Sequence, residues 1–306
     1  MSFKPGLFCC LFAVGAVVAQ RPQTSGPPDP ASDLLRQGRL KLTEGKQDEA
    51  LAIYKQAVES FPKSVQANNQ TGVLLDLMGQ YGEARKYFGK AIEGAATPQA
   101  KGQAQRAMAM SYAFEGDCKN AAKYESPLYE QYLEAKDYYN AGETADEVAR
   151  VCIDAGNLDE AYAWYQKGHE AGLNETDPKQ KDLWNFRWEH ALGRIAARRG
   201  KADEAQKHVA AAKAVLDKGT NPQQAQFFPY LVGYVAFYAG DYRTALAELQ
   251  KANQSDPFIQ VLIAQTYEKL EDKEQAAQFY KKAMGSNAHN PPNAAARLLA
   301  RKKVGG

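Results

Sequence analysis

The chain is poor in the residues that carry chemistry. It has only four histidines in 306 residues, His169, His190, His208 and His289, and they are scattered. None belongs to a His-Glu-x-x-His zinc motif, so a metal site of that kind is not expected. No Gly-rich phosphate loop and no Gly-x-Ser-x-Gly nucleophile elbow occurs, and no pair of carboxylates stands out as acid and base. The chain is therefore expected to be non-catalytic and to need no cofactor. Charge of one sign is also missing. The formal net charge is +2, which supplies no field for nucleic acid or an acidic membrane. After the first twenty residues no stretch is long and apolar enough to cross a bilayer.

Cysteine is scarce as well, with four in all, and two of these, Cys9 and Cys10, lie in the N-terminal apolar run. That segment, "MSFKPGLFCCLFAVGAVVAQ", has one basic residue, Lys4, an apolar stretch from Leu7 to Val18, and small residues ending at Ala19. It reads as a secretory signal over residues 1–19, which predicts an exported protein, periplasmic or secreted. A membrane anchor is the other reading, for which the run is short. Residues 20–30, "QRPQTSGPPDP", carry four prolines and read as an extended leader. Cleavage would leave Cys118 and Cys152. In an oxidising compartment these form either a disulfide or two buried thiols.

What the chain does have is a repeat. "GKQDEA" at Gly45 returns as "GQYGEA" at Gly79, "GDCKNA" at Gly116, "GNLDEA" at Gly156, "GKADEA" at Gly200 and "GDYRTA" at Gly240. A weaker copy, "EDKEQA", puts Glu271 where the glycine should be. Each glycine precedes an alanine by five residues. Four beyond that alanine a large side chain is common (Tyr54, Phe88, Tyr165, Val209, Leu249, Tyr280), and three further on a small one (Ala57, Ala91, Gly168, Ala212, Ala252, Ala283). The pattern predicts helical hairpins. Glycine ends the first helix in the left-handed conformation, and Asp48, Asp159 and Asp203 favour the start of the second. The small–large–small face lets the two helices approach closely. Gly38, Gly72, Gly193 and Gly233, seven residues before their turn glycines, would be contact points on the first helix. Unit three departs, with Glu125 at the large position and Leu128 at the small one.

This arrangement resembles the tetratricopeptide repeat. Gly38, Ala50, Tyr54, Ala57 and Pro62 sit at family spacing, and Gly72, Ala84, Phe88 and Ala91 follow one family period later. The resemblance implies an all-α fold, a right-handed α-solenoid of about seven hairpins over residues 31–290, with units near 31, 65, 102, 142, 186, 226 and 257. The longer middle intervals call for extended helices or linkers. Residues 291–306 read as an amphipathic capping helix and basic tail, in which Arg297, Arg301, Lys302 and Lys303 form a solvated outer face; a basic docking patch is the sharper reading.

In the family the first helices line the concave surface, so groove residues are expected on them. Arg187, His190, Arg194 and Arg198, three, four and four apart, form one stripe. Phe227, Tyr230, Tyr234, Phe237 and Tyr238 form a second, aromatic one that points largely into the groove unless the next helix, with Phe258, Val261 and Leu262, covers it. Glu143, Asp146, Glu147 and Asp154, with Arg150 among them, face the arginines from unit four. The family's set of Lys, Asn and Arg positions for gripping a chaperone's C-terminal carboxylate is incomplete, with Leu35, Arg39 and Asn69 near those places, so that activity is not expected. The expected function is a protein-interaction scaffold that holds a peptide segment or partner protein in the groove, with Arg194, Tyr230 and Tyr234 contributing most. The alternative is a module whose aromatic stripe stacks on cell-wall glycan.

Overall fold

A computed structural model describes residues 29–304. The signal segment and all but the last two residues of the Pro-rich leader lie outside the described residues. From Asp29 onward the chain is helix after helix, with no strand among the described residues. Seven hairpins follow in order: α1 (Ser32–Thr43) with α2 (Gln47–Ser60), α3 (Val65–Leu77) with α4 (Tyr81–Gly94), and α5 (Pro98–Ala113) with α6 (Cys118–Glu134). Then come α7 (Tyr138–Asp154) with α8 (Leu158–Leu173), α9 (Pro178–Arg198) with α10 (Ala202–Asp217), α11 (Phe228–Ala239) with α12 (Tyr242–Leu249), and α13 (Pro257–Lys269) with α14 (Lys273–Met284). A last helix, α15, spans Pro291–Val304. Each helix packs on its neighbours in the chain, and first helices also meet across units, as α3 with α5 and α9 with α11. The core is accordingly a run of adjoining clusters, as expected of a solenoid in which each hairpin covers the apolar face of the last.

The turns confirm the repeat reading. Gly45, Gly79, Gly116, Gly156, Gly200 and Gly240 all adopt φ between 71° and 87°, where a side chain would clash with its own backbone. Glu271 takes the same conformation without being glycine, at φ 64°. Between units three and four Lys136 does likewise, at φ 55°.

Three of the four predicted glycines on the first helices are holes for the large side chains of the second, whereas a Cβ on Gly193 would meet Leu231 of α11 at 3.1 Å and not Val209. A Cβ on Gly38 would stand 2.2 Å from the Tyr54 ring, one on Gly72 2.6 Å from Phe88, and one on Gly233 2.7 Å from Leu249. In unit three the hole is displaced. Gly102 lies fourteen residues before its turn glycine, and the side chain against it is Leu128, 2.8 Å from where a Cβ would sit. Leu128 thus takes the large role from the small position. Glu125 is left buried, with Arg106 as its nearest cation at 3.9 Å. The long middle interval has its cause in α9, which runs for 21 residues and brings Trp184 against both Gly142 and Gly172.

α15 packs on the last hairpin as a cap would, but its basic face is not all solvated and its contacts reach further. It touches α14 and α13, and also α5 and α7. Its contacts with the early units fall at the turns and first-helix ends, at Leu77, Gly79, Tyr81 and Gly116, so it lies along that turn edge and joins the late units to the early ones. Arg297, expected on a solvated face, is 5% exposed and donates to the carbonyls of Leu77 at 2.8 Å, Ser286 at 2.8 Å and Met284 at 3.3 Å. Arg301 is half-buried over the Tyr81 ring and donates to its hydroxyl at 2.5 Å, while Lys303 stays exposed and pairs with Glu268. Just before the helix, His289 meets buried Asp76 at 2.8 Å and packs against Phe88 and Phe114. The inward turn of Arg297 follows from geometry. Three backbone carbonyls left over at turns and helix ends need donors, and a guanidinium supplies several from one side chain.

Cys118, at the start of α6, and Cys152, near the end of α7, are joined in a disulfide with a Cα–Cα distance of 4.8 Å. Of the two states left open by the sequence, the bridge is the one observed.

Candidate functional site

Beyond the units that α15 reaches, the first helices α7, α9, α11 and α13 share one wall. The predicted acidic and basic stripes meet there. Arg187 Nη1 lies 2.6 Å from Glu143 and 3.9 Å from Asp146. Glu147 is engaged in the other direction, 2.8 Å from Arg106 of α5. Arg150 Nε pairs with Asp154 at 2.9 Å on its own helix. Burial raises several of these carboxyls: Asp146 is pushed up to about 7, with Arg187 opposing, and Asp154 shifts upward with Arg150 opposing.

Arg194 behaves differently. It is 5% exposed, and no carboxylate among the described residues lies within ion-pair distance. Its Nη2 donates to the Tyr165 hydroxyl at 2.8 Å and its Nε to the His190 carbonyl at 3.3 Å, which leaves Nη1 without a partner. His190 is buried beside it, and burial together with the nearby guanidinium holds the imidazole well below its usual range, hence neutral.

The aromatic stripe divides. Tyr230 and Tyr234 are 6% and 0% exposed, Phe237 is half-buried, and Phe227 and Tyr238 are 42% and 36% exposed. The expectation that the rings point largely into the groove therefore fails for the central pair, which is buried, while the two end rings are exposed. The physical reason lies in the neighbours. Tyr230 packs edge-on against Tyr234 and Phe258, the latter on the following first helix, and its ring takes Arg150 on one side at 5.6 Å and Arg194 on another at 5.8 Å. Arg198 lies over Tyr238 at 5.3 Å.

Arg150, Arg187, His190, Arg194, Phe227 and Tyr230 share the wall of a cavity of about 220 Å³ with Tyr165, Asp146 and Asp256. Tyr234, Phe237, Tyr238 and Arg198 are not on that wall. Sequence reasoning placed Tyr165 in the hairpin core and missed its service as the acceptor for Arg194. It missed Asp256 altogether; the Asp-Pro pair that caps α13 was its only signal.

The fold and this geometry can be set beside known proteins. A family model described as "Tetratricopeptide repeat" matches residues 35–101, and another with the same description matches residues 259–290. This chain is a tetratricopeptide-repeat protein. Among solved structures, aspartyl phosphate phosphatase F from Bacillus subtilis is similar over 83% of this chain and 69% of its own, at 12% identity and TM-score 0.57. The apo form of RapI is similar over 83% and 96%, at 11% identity and TM-score 0.53. The TPR-like repeats of a kinesin light chain from Podosopora anserina cover 64% of this chain and 99% of their own, at 16% identity and TM-score 0.50. At these identities the likeness is one of fold. A comparison with curated proteins finds no match. The tetratricopeptide family is a family of interaction scaffolds in general. No described helix of this member is long and apolar enough to cross a membrane.

Proposed function

We propose that this tetratricopeptide-repeat protein is an exported, non-catalytic scaffold that docks a peptide segment or a partner protein on the α7–α9–α11 wall. The observation that carries the reading is an exposed ring, Phe227, on a cavity whose wall holds polar groups lacking partners, with a second exposed ring, Tyr238, at the far end of α11. An exposed aromatic anchor beside a desolvated polar centre is a usual element of a binding surface. The Cys118–Cys152 bridge supports a periplasmic or secreted location, because such bonds persist in oxidising compartments. Nothing favours the glycan reading. A sugar needs open ring faces, and the central rings of the stripe are buried.

The test uses a displayed peptide library panned on the full chain and on a Phe227→Ser/Tyr238→Ser variant. An unchanged melting temperature establishes that the variant keeps its fold. Segments selected on the wild type are expected to bind the variant at least tenfold more weakly. Equal binding to both would remove this wall as the docking surface. N-terminal sequencing of the protein from its native source is expected to begin at Gln20; a chain still carrying residues 1–19 would refute the export signal.

A further inference from the structure

The polar groups of the cavity define what is missing from it. A guanidinium has five N–H donors and no acceptor, so an unpartnered nitrogen on it can be satisfied only by an acceptor. Arg194 Nη1 and Arg150 Nη2 are both buried and unpartnered, and both residues share the cavity wall. The Tyr230 hydroxyl, a third group that can donate, is likewise buried without a partner. A protein does not gain stability by burying such donors unmet. Their convergence around one space, on three helices far apart in the sequence, points to a ligand.

The size and charge of the space narrow its chemistry. Pockets for drug-sized molecules run to about 300–1,000 Å³. At about 220 Å³ this one holds a fragment about the size of one amino acid. Arg187 is matched by Glu143 and Arg150 by Asp154, whereas Arg194 has no such match. Asp146 and Asp256 also sit on the wall, which disfavours any ligand with two or more negative charges. The uncharged lining combines an apolar part, from Phe186, Phe227, Tyr230 and Ile259, with neutral polar groups on Gln224, Gln226 and Asn253 that can also donate to an acceptor.

We infer that the cavity between α7, α9 and α11 binds a single carboxylate carried on a compact apolar or aromatic group, with Arg194, Arg150 and Tyr230 as its donors. This rests on the scaffold reading for where the carboxylate comes from, either the end or an acidic side chain of a docked segment, but the pocket also accepts the same group on a free organic acid. The site is distinct from the family positions near Leu35, Arg39 and Asn69, which lie on α1 and α3.

Titration calorimetry on the full chain decides it. The probes are N-acetylphenylalanine, its uncharged amide, a pentapeptide ending in phenylalanine with a free C-terminus, and inorganic phosphate. The acid is expected to bind at least tenfold more tightly than the amide, and phosphate more weakly than the acid. A peptide tighter than the acid identifies a docked segment as the source, and the reverse order identifies a free acid; both support the site. Arg194→Met is expected to lower affinity for the acid at least tenfold while the melting temperature holds or rises, because it removes an unmatched buried charge. Should that variant melt early, Tyr230→Phe, which removes only an unpartnered hydroxyl, supplies the affinity comparison. Acid and amide binding alike, no binding by either, or phosphate binding best would each overturn the inference. If the acid fails to bind while Phe227→Ser/Tyr238→Ser still abolishes peptide capture, the carboxylate site is wrong and the scaffold reading stands. If the acid binds and peptide capture is unaffected, the reverse holds.

Discussion

Single residues explain most of the local geometry, and two of them are set against their surroundings. Glu271 holds a turn in a backbone region that disfavours any side chain, where six other turns use glycine. Glu271→Gly is therefore expected to stabilise the chain by about 0.5–1 kcal/mol, read by thermal or denaturant unfolding. Glu125 is the second. Both of its oxygens are buried without hydrogen-bond partners, and burial, with Glu147 adding to it and Arg106 opposing, pushes its carboxyl up to about 8. A carboxyl raised on folding favours the fold when neutral. Its contribution is thus complete below the ordinary carboxyl range near 4.5 and is lost as pH rises through about 8. Glu125→Gln should match wild type at pH 4 and exceed it by about 1–3 kcal/mol at pH 9. A variant that is less stable than wild type at pH 9 would show that the charge is matched after all.

At the scale of the helix, the sequence was most legible where a pattern is local. The turn glycines, the hairpin pairs and the holes at Gly38, Gly72 and Gly233 follow from spacing alone, because a hairpin's two faces are set by residues close in sequence. Unit three was less legible. Its hole moved up the helix to Gly102, and spacing from the turn then assigns Leu128 and Glu125 the wrong sizes. The aromatic stripe of α11 was legible as a stripe but not as a surface, since its exposure depends on what α13 brings against it. The disulfide ties α6 to α7, adjacent helices of different units, and closes a loop of 34 residues. Replacing both cysteines by serine should cost about 3 kcal/mol, measured by unfolding under non-reducing conditions. No loss of stability would mean that packing of α6 on α7 alone holds the joint.

Across the whole molecule, the defining feature is the return of the C-terminal segment to the early units. His289 and Arg297 reach residues more than two hundred positions back, at Asp76 and Leu77. Asp76 also accepts from Ser111 at 2.8 Å, so a buried carboxyl ties unit two, unit three and the approach to α15 into one network. Arg297→Met, which keeps the apolar stem and removes the donors, should cost about 2 kcal/mol by leaving the Leu77 and Met284 carbonyls without this donor, and lower the melting temperature by about 5 °C. Small-angle scattering of a chain lacking residues 286–306 should show a larger radius of gyration for its length, as the curve opens. An unchanged radius would mean that the units hold their curvature without the strap.

The sequence by itself determined the repeat, the hairpin turns and the small-on-large contacts, because each arises between residues a few helical turns apart. It also brought the basic, acidic and aromatic stripes onto first helices, which is a matter of helical phase. Only the tertiary structure decided which of those residues share a cavity, which arginine lacks a carboxylate, and that the last helix returns to the turns of the early units. These depend on superhelical curvature, a sum of small rotations over seven units, and no local spacing encodes where such a sum brings the chain's end.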